Sequence, residues 1–266
     1  MSKQMLSNPL LIGLVIVGIT FLLPLFAPYD PMLTMPNQQN QFISVQHLLG
    51  TDHLGRDVFS RLLYGAELSI SATFISTGIA LILGTGLALC THIPNKWGQW
   101  ITNSLLNGLL AFPSILWVFM LVTLAGAGQG SLILGTGIMF APACGRYLSH
   151  AVRSIQQTAY YEASLSLGAN RTELIRGAII PNMADALVTY TFILFPMTLL
   201  NYGAMTFLGL GAPYGTPEWG IILYDGRLSF SVTPIPMLAP GIAITLTLMI
   251  FQRLGRRWTR HINHRL

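Results

Sequence analysis

Residues 162–181 read EASLSLGANRTELIRGAIIP, a polar stretch that lies between long apolar segments of the chain. It carries four charged residues, although only 9% of the 266 residues are charged and 52% are hydrophobic. A soluble domain has roughly a quarter of its residues charged. Here the charges fall in short intervals between long uncharged runs, and the mean hydropathy is +0.59. This pattern predicts an all-α polytopic membrane protein.

The uncharged runs predict six transmembrane helices, because a helix of about 20 apolar residues crosses a bilayer. The runs cover residues 8–29, 68–93, 97–145, 186–217 and 228–252, and the glycine-rich AGAGQG at 125–130 divides the third into two helices. The first run lacks a small-residue cleavage site, so we predict a retained helix rather than a signal peptide. We predict a membrane domain over 9–252, an N-terminal tail over 1–8 and a basic tail over 253–266.

The basic residues predict the orientation of the chain in the membrane. Six spans place both termini on one side, and only Arg56, Arg61 and Arg227 fall on the other side. The remaining eleven basic residues lie on the side of the termini: Lys3, Lys96, Arg146, Arg153, Arg171, Arg176, Arg253, Arg256, Arg257, Arg260 and Arg265. The positive-inside rule therefore predicts cytoplasmic termini, an extracytoplasmic loop over 30–66 and a cytoplasmic loop over 150–185. Because the basic residues flank apolar runs, we expect membrane lipid and no nucleic acid as partners.

The sequence lacks the motifs of enzymes that act on nucleotides or peptides. Neither Lys3 nor Lys96 follows a glycine-rich phosphate-binding loop, and there is no H-E-x-x-H or G-x-S-x-G. We predict no catalytic residue and no metal ligand, and His53 beside Asp52 is expected to be a solvated loop histidine. The predicted spans are nearly free of ionisable groups, which disfavours a carrier driven by its own buried charges. Energy for transport is then expected to come from a partner.

The polar stretch is predicted to be a broken helical segment. Gly168 suits the left-handed position after a helix end, and Asn170 with Glu173 can form a capping box. The new helix is expected to run to Ile180, where Pro181 stops it or begins the next element. Its apolar residues recur on one face: Leu174, Ile175, Ala178 and Ile179. Such a helix either lies on lipid headgroups as a connecting loop or docks into a groove on a cytoplasmic partner.

The stretch resembles the EAA loop of ABC importer permeases, whose pattern is E-A-A, three residues, G, nine residues, I-x-L-P. The chain matches at Glu162, Ala163, Gly168 and Pro181, with Ile180 in the leucine place, and departs at Ser164 and Ala178. In that family the loop docks into a cleft on the ATPase subunit. The resemblance therefore implies ATPase coupling by Glu162, Ala163, Gly168, Ala169, Arg171, Glu173, Leu174 and Pro181.

Two further segments resemble the dipeptide/oligopeptide/nickel branch of this family, and specifically its C-type permease. Residues 48–70, LLGTDHLGRDVFSRLLYGAELSI, match that branch's signature, and FLGLGAPYGTPEWG at 207–220 matches a second segment. The signature residues are Gly50, Thr51, Asp52, Gly55, Arg56, Asp57, Ser60, Arg61 and Gly65. Locally, Asp57–Arg61 is expected to be an exposed i,i+4 ion pair that either scaffolds the loop or docks a substrate protein. Trp219 is expected to be an interfacial anchor.

The best candidates for a translocation pathway lie in the fifth predicted span. A polar amide is costly against lipid, so Asn201 is expected to face protein or water, and Pro196 to interrupt the helix nearby. Packing between helices explains Asn201 equally well.

The resemblance implies a type I ABC importer permease fold in the bacterial inner membrane. The implied partners are a second, B-type permease, two ATPase subunits that bind ATP and Mg²⁺, and an extracytoplasmic solute-binding protein. This chain is expected to bind no cofactor itself. The family carries peptides, nickel or metal chelates, and the compact length inclines slightly toward nickel. The alternatives are an ATP-independent channel or facilitator for a small solute, or a membrane scaffold.

Overall fold

The computed structural model describes residues 9–91 and 96–263 of the protein. These residues form helices joined by loops. The helices are α1 (Pro9–Thr20), α2 (Val58–Cys90), α3 (Lys96–Ala111), α4 (Ile115–Ala125), α5 (Gln129–Gln156), α6 (Ala159–Ser166), α7 (Ile180–Phe207), α8 (Trp219–Ser229) and α9 (Ile235–Asn263). Two short 3₁₀ turns, Leu23–Phe26 and Pro36–Gln38, lie in the first loop. The described residues contain no β-strand, and Thr51 and Asp57 form an isolated β-bridge.

The six predicted spans are only partly confirmed by helix length and composition. Within the described residues, α2, the stretch Arg171–Phe207 and the Ile235–Arg260 part of α9 are long and apolar enough to cross a membrane. Helices α3 and α4 are long and apolar enough to cross a membrane only when they are taken together, and the pair is bent by 88° around residues 112–114. Helix α1 is apolar but short, and α5 is long but less apolar. The count is therefore three, or four with the bent pair.

Helices extend into segments that the sequence predicted as loops or tails. Helix α2 begins at Val58, inside the predicted loop 30–66, because the Asp57 side chain caps it by accepting from the Ser60 N–H. Helix α9 continues to Asn263 through most of the predicted basic tail. The turn predicted at residues 92–95 and the N-terminal tail 1–8 lie outside the described residues.

Helices α2 and α5 pack closely because small residues face each other at their crossing. A Cβ atom added to Gly84 would lie 2.5 Å from the Cys144 Sγ and 3.0 Å from the Gly145 nitrogen. Without a hydrophobic driving force between helices in lipid, such close backbone contact is a main source of association. This contact fixes α5 and the polar stretch that follows it against α2.

A second core joins α2, α7, α8 and α9. The Phe195 and Phe251 rings stack with centroids 4.0 Å apart. Trp219 packs in the same cluster with only 4% of its surface exposed, and its Nε1–H donates to the Leu62 carbonyl at 3.0 Å. The predicted interfacial anchor is therefore wrong. The indole is buried because Gly65 leaves room for it, with 2.7 Å between a Cβ added there and the ring.

Candidate functional site

The polar stretch begins with a new helix rather than a continuation of the preceding span. Helix α5 ends at Gln156, and α6 starts after Thr158, whose hydroxyl accepts from the Tyr161 N–H at 3.4 Å. The break arises because Thr158 in an extended conformation caps the following turn.

Gly168 terminates α6 in the left-handed conformation that the sequence predicted, with φ at 84°. The Ala169 N–H donates to the Ser164 carbonyl at 3.2 Å, and the Gly168 N–H donates to the Leu165 carbonyl at 3.0 Å. These two bonds form a Schellman motif, which satisfies carbonyls that would otherwise lack a donor at the helix end. Gly168 therefore ends α6.

The predicted capping box is confirmed immediately after Gly168. The Asn170 Oδ1 accepts from the Glu173 N–H at 3.0 Å, and the Asn170 N–H donates to the Glu173 Oε2 at 2.7 Å. The turn Arg171–Glu173 then leads into a π-helical stretch, Leu174–Ile179, which continues into α7. Pro181 was predicted to stop this helix or to begin the next element. It lies in the first turn of α7, as the second alternative has it, but α7 continues from the preceding stretch without a break.

The π-helical stretch explains how the helix passes through Pro181. A proline ring clashes with the carbonyl four residues before it and cannot donate to that carbonyl. The Ile180 N–H donates to the carbonyl of Ile175, five residues back, so the backbone is already widened at this point. The result is one continuous helix over Arg171–Phe207, 37 residues long. At 1.5 Å per residue it is about 55 Å long.

The apolar face of this segment packs against the protein's own helices. Leu174, Ala178 and Ile179 are 7%, 2% and 3% exposed. Ile179 lies in a cluster with Leu148 and Val152 of α5. This face is therefore not free to enter a groove on a partner, as the sequence had allowed.

The exposed part of the stretch is α6 and the residues that follow it, 167–173. Leu165 is 56% exposed and Leu167 is 88% exposed. Of the residues predicted for coupling, Glu162, Ala163, Gly168, Arg171, Glu173 and Pro181 are exposed, Ala169 is partly exposed and Leu174 is buried. A cavity of about 370 Å³ opens beneath α6, lined by Leu165, Ala169, Arg171 and residues of α2 and α3. We name α6 and residues 167–173 the surface loop.

Replacing Gly168 with valine is expected to loosen the surface loop locally. No heavy atom lies within 4 Å of a Cβ at this position, so the cost is backbone strain at positive φ, roughly 1–2 kcal/mol. We expect amide hydrogen exchange over residues 164–170 to become about tenfold faster. Gly168→Asn is the control, because asparagine tolerates this conformation. Equal exchange in the two variants would contradict the assignment of strain.

A second constellation forms where the first loop meets α8. Gly55, with φ at 77°, closes a turn in which the Asp52 Oδ1 accepts from the N–H groups of Leu54 and Arg56 at 2.9 and 3.0 Å. This Asx-type turn folds the loop back on itself. It brings Arg56 beside the start of α2.

Four charged side chains meet at this place in a buried cluster. Asp52 Oδ2 accepts from the Arg56 Nε at 2.7 Å and from the Arg61 Nη1 at 2.6 Å. Asp225 Oδ2, on α8, accepts from the Arg56 Nη2 at 2.6 Å and from the Arg61 Nη2 at 2.9 Å. All four residues are at most 2% exposed. We name Asp52, Arg56, Arg61 and Asp225 the charge cluster, and its formal charges sum to zero.

The charge cluster corrects the predicted exposed pair Asp57–Arg61. Arg61 pairs with Asp52 and Asp225, whereas Asp57 caps α2 and its Oδ1 lies 2.8 Å from the His47 Nδ1. Because these groups are buried, they form a scaffold and are not accessible as a docking surface. The other predicted signature residues lie beside them. They are Gly50 in a left-handed turn, Thr51 bonded to the Gln41 N–H, and Ser60, whose hydroxyl accepts from the Tyr29 N–H.

Asp225 was missed by the sequence analysis, as was a second buried carboxyl, Glu218. The Glu218 Oε1 accepts from the Tyr202 hydroxyl at 2.9 Å and from the Gln129 Nε2 at 3.0 Å. Burial without a cationic partner raises the pKa of Glu218 above its usual range. The pattern P-E-W-G was the available signal, since it placed a carboxyl next to a tryptophan. Glu218 joins the start of α5 to α7 just before α8 begins.

The two predicted pathway residues lie on α7 but are not brought together in one site. Pro196 is buried within the helix and borders a groove toward α9. The Asn201 side-chain amide donates one hydrogen bond to the Met197 carbonyl at 2.9 Å, within its own helix. His53 lies 3.4 Å from the Tyr214 hydroxyl, through its Nε2.

Comparison with known proteins places this geometry in a family context. Residues 78–266 match the family described as binding-protein-dependent transport system inner membrane component. The dipeptide transport system permease protein DppC of Alkalihalophilus pseudofirmus is 32% identical over 258 residues, 95% of this chain and 85% of that protein. The glutathione transport system permease protein GsiD of Pectobacterium atrosepticum is 31% identical over 243 residues, 91% of this chain and 81% of that protein.

Solved structures share the fold at lower sequence identity. An inward-facing form of the MetNI methionine ABC transporter aligns with a TM-score of 0.64 and 21% identity, over 76% of this chain and 96% of that one. An amino acid ABC transporter crystallised with histidines aligns with a TM-score of 0.57 and 16% identity, over 76% and 94% of the two chains.

Proposed function

The chain belongs to the family of binding-protein-dependent transport system inner membrane components, and we propose that it is the permease subunit of an ATP-driven importer of small peptides. Its fold is the type I ABC importer permease fold. It is a multi-pass protein of the bacterial inner membrane. The excess of basic residues on one side of the predicted spans supports cytoplasmic termini.

The observation that carries the proposal is the exposed surface loop at the start of a long continuous helix. Leu167 and Leu165 present apolar surface beside the exposed charges of Glu162, Arg171 and Glu173. An apolar anchor with a charged rim has the composition of a protein-binding patch. An ATPase subunit is the proposed partner at this loop, because ABC importers are driven by ATP and this chain has no phosphate-binding loop.

Coupling follows from the way the loop is attached. Gly168 ends α6 with backbone hydrogen bonds to Leu165 and Ser164, and only Ala169 and Asn170 separate it from the helix Arg171–Phe207. A displacement of α6 by an ATPase is therefore proposed to be transmitted through this short connection to a helix that is long and apolar enough to cross the membrane. In the proposed cycle, ATP and Mg²⁺ bind to the two ATPase subunits. Closure of those subunits then turns the cavity between this chain and a second, B-type permease outward.

The proposed solute is a small peptide supplied by an extracytoplasmic solute-binding protein. The relatives with this degree of identity are a dipeptide permease and a glutathione permease, by their names. These relatives favour a peptide over the nickel solute toward which the chain length inclined. The solute-binding protein is proposed to select the peptide.

Co-purification from the host that encodes the chain tests the proposal. The tagged chain, extracted in mild detergent, is expected to bring down two ATPase subunits and one second permease per complex, identified by mass spectrometry. Uptake of a labelled dipeptide is expected to fail in a deletion strain and to return with the plasmid-borne chain.

Two results would contradict this function. Recovery of the chain alone, under conditions that keep a known importer complex intact, would favour the ATP-independent facilitator. Loss of nickel-dependent enzyme activity with intact peptide uptake would replace the peptide with nickel as the solute.

A further inference from the structure

A groove of about 550 Å³ runs between α7 and α9, apart from the surface loop and the charge cluster. This volume lies within the range of small-molecule sites, roughly 300–1,000 Å³. The helices are antiparallel here, and a Cβ atom added to Gly255 would lie 2.8 Å from the Phe192 Cβ. The missing side chain at Gly255 lets the helices approach at this point, and the groove opens beside it.

The two ends of the groove differ in chemistry. One end is apolar and is lined by Phe192, Ile193, Pro196 and Met197. The other end is polar and basic, and it is lined by Arg256 and Arg260 together with Thr189 and Thr259, whereas Gln252 lies one turn before Arg256, level with the apolar end. A ligand that fills the groove therefore has an apolar part and an anionic part.

The two arginines are free to bind an anion. They lie four residues apart on α9, so their Cβ atoms are about 5–6 Å from each other on one face. Over residues 9–91 and 96–263, no carboxylate lies within 4 Å of either guanidinium, and both residues are exposed. Guanidinium groups donate in pairs to phosphate oxygens, which makes arginine well suited to phosphate recognition.

The depth of the groove matches the boundary between acyl chains and headgroups. Helix α9 begins at Ile235, and Arg256 follows 21 residues later. At 1.5 Å per residue this separation is about 32 Å, close to the roughly 30 Å thickness of the hydrocarbon core. The guanidiniums therefore reach the headgroup level while the apolar end lies at the level of the acyl chains.

We propose that this groove binds one anionic phospholipid, such as phosphatidylglycerol. The lipid phosphate accepts hydrogen bonds from Arg256 and Arg260, and one acyl chain lies along Phe192, Ile193 and Met197. A peptide solute fits the groove less well, because most of its amide groups at the apolar end would face hydrocarbon side chains, and among the described lining residues there Gln252 alone offers a hydrogen-bond partner. Basic pockets between membrane helices on the cytoplasmic side are typical of anionic-lipid sites.

Native mass spectrometry of the purified full-length chain, with its co-purified subunits, tests this inference. The complex is titrated in detergent with dioleoyl phosphatidylglycerol and, separately, dioleoyl phosphatidylcholine. In the groove variant R256Q/R260Q, the affinity for phosphatidylglycerol is expected to fall at least about tenfold. The matched control is R253Q/R257Q, which removes the same charge from the same helix at positions that do not line the groove. The control is expected to lose less than about threefold.

A third variant tests the apolar end without changing the charge. Ile193→Trp fills the groove, and it is expected to weaken phosphatidylglycerol binding while both arginines remain. Equal losses in the groove variant and the control would overturn the proposal in favour of general surface attraction. Unchanged lipid binding in R256Q/R260Q, with reduced uptake of acidic but not neutral dipeptides, would overturn it in favour of a solute site. The lipid-binding measurements on these variants do not depend on whether the complex transports peptides.

Discussion

Asp225→Ala is expected to destabilise the protein by about 3–5 kcal/mol, the usual cost of removing one partner from a buried ion pair. Asp225 Oδ2 accepts one hydrogen bond from Arg56 and one from Arg61, and no part of this side chain is exposed. Without it, a single carboxylate, Asp52, faces two buried guanidiniums. The fold then either buries an unbalanced cation or opens the contact between the first loop and α8.

Thermal unfolding of the purified complex in detergent measures this effect. The matched control is Asp185→Ala, which removes an exposed carboxylate from α7 and is expected to change stability by less than about 0.5 kcal/mol. A second variant, Asp225→Asn, keeps one oxygen acceptor and loses the charge. Its loss of stability is therefore expected to lie between those of Asp225→Ala and Asp185→Ala. If Asp225→Ala melts with the wild type, the charge cluster contributes no stability and its scaffold role is wrong.

Leu167→Asp is expected to reduce ATPase recovery with the tagged chain at least about tenfold, the effect of losing one interface anchor worth about 2 kcal/mol. Leu167 is 88% exposed at the tip of the surface loop, so the substitution removes no packing within the chain. A carboxylate there would lose its hydration if it entered a groove on the partner. This prediction rests on the proposed function.

A control with the same local geometry lies at the other end of α7. Leu208 also follows a helix, is also exposed and also precedes a left-handed glycine, with φ at 84° for Gly168 and 82° for Gly209. Leu208→Asp is expected to leave ATPase recovery unchanged, because it lies at the opposite side of the predicted membrane domain. Equal recovery with Leu167→Asp and with the wild-type chain would place the ATPase contact elsewhere.

The parts of the site that follow from sequence are those set by neighbouring residues. Gly168, Asn170 and Glu173 lie within six positions, and their turn and capping box depend only on local backbone geometry and short side chains. The helical membrane fold also followed, because uncharged runs of span length have few alternatives.

The parts that did not follow depend on contacts between distant residues. Arg56 and Asp225 are 169 positions apart, so no spacing rule joins them, and Arg61 was paired instead with its neighbour Asp57. Trp219 was predicted at the membrane–water interface because tryptophan is enriched there. Gly65, on another helix, instead leaves room to bury it. Pro181 was expected to end a helix or begin the next element, and no local rule showed that the widened turn before it would let the two join as one helix.

The same separation in sequence means that the members of the charge cluster are synthesised at different times. Arg61 emerges from the ribosome 164 residues before Asp225. At translation rates of about 5–20 residues per second, this interval lasts roughly 8–33 s. During it, the nascent chain holds two guanidiniums against the one carboxylate of Asp52. We therefore expect the first loop to be buried only after α8 has been made, and a chain truncated before residue 225 to leave that loop exposed to water.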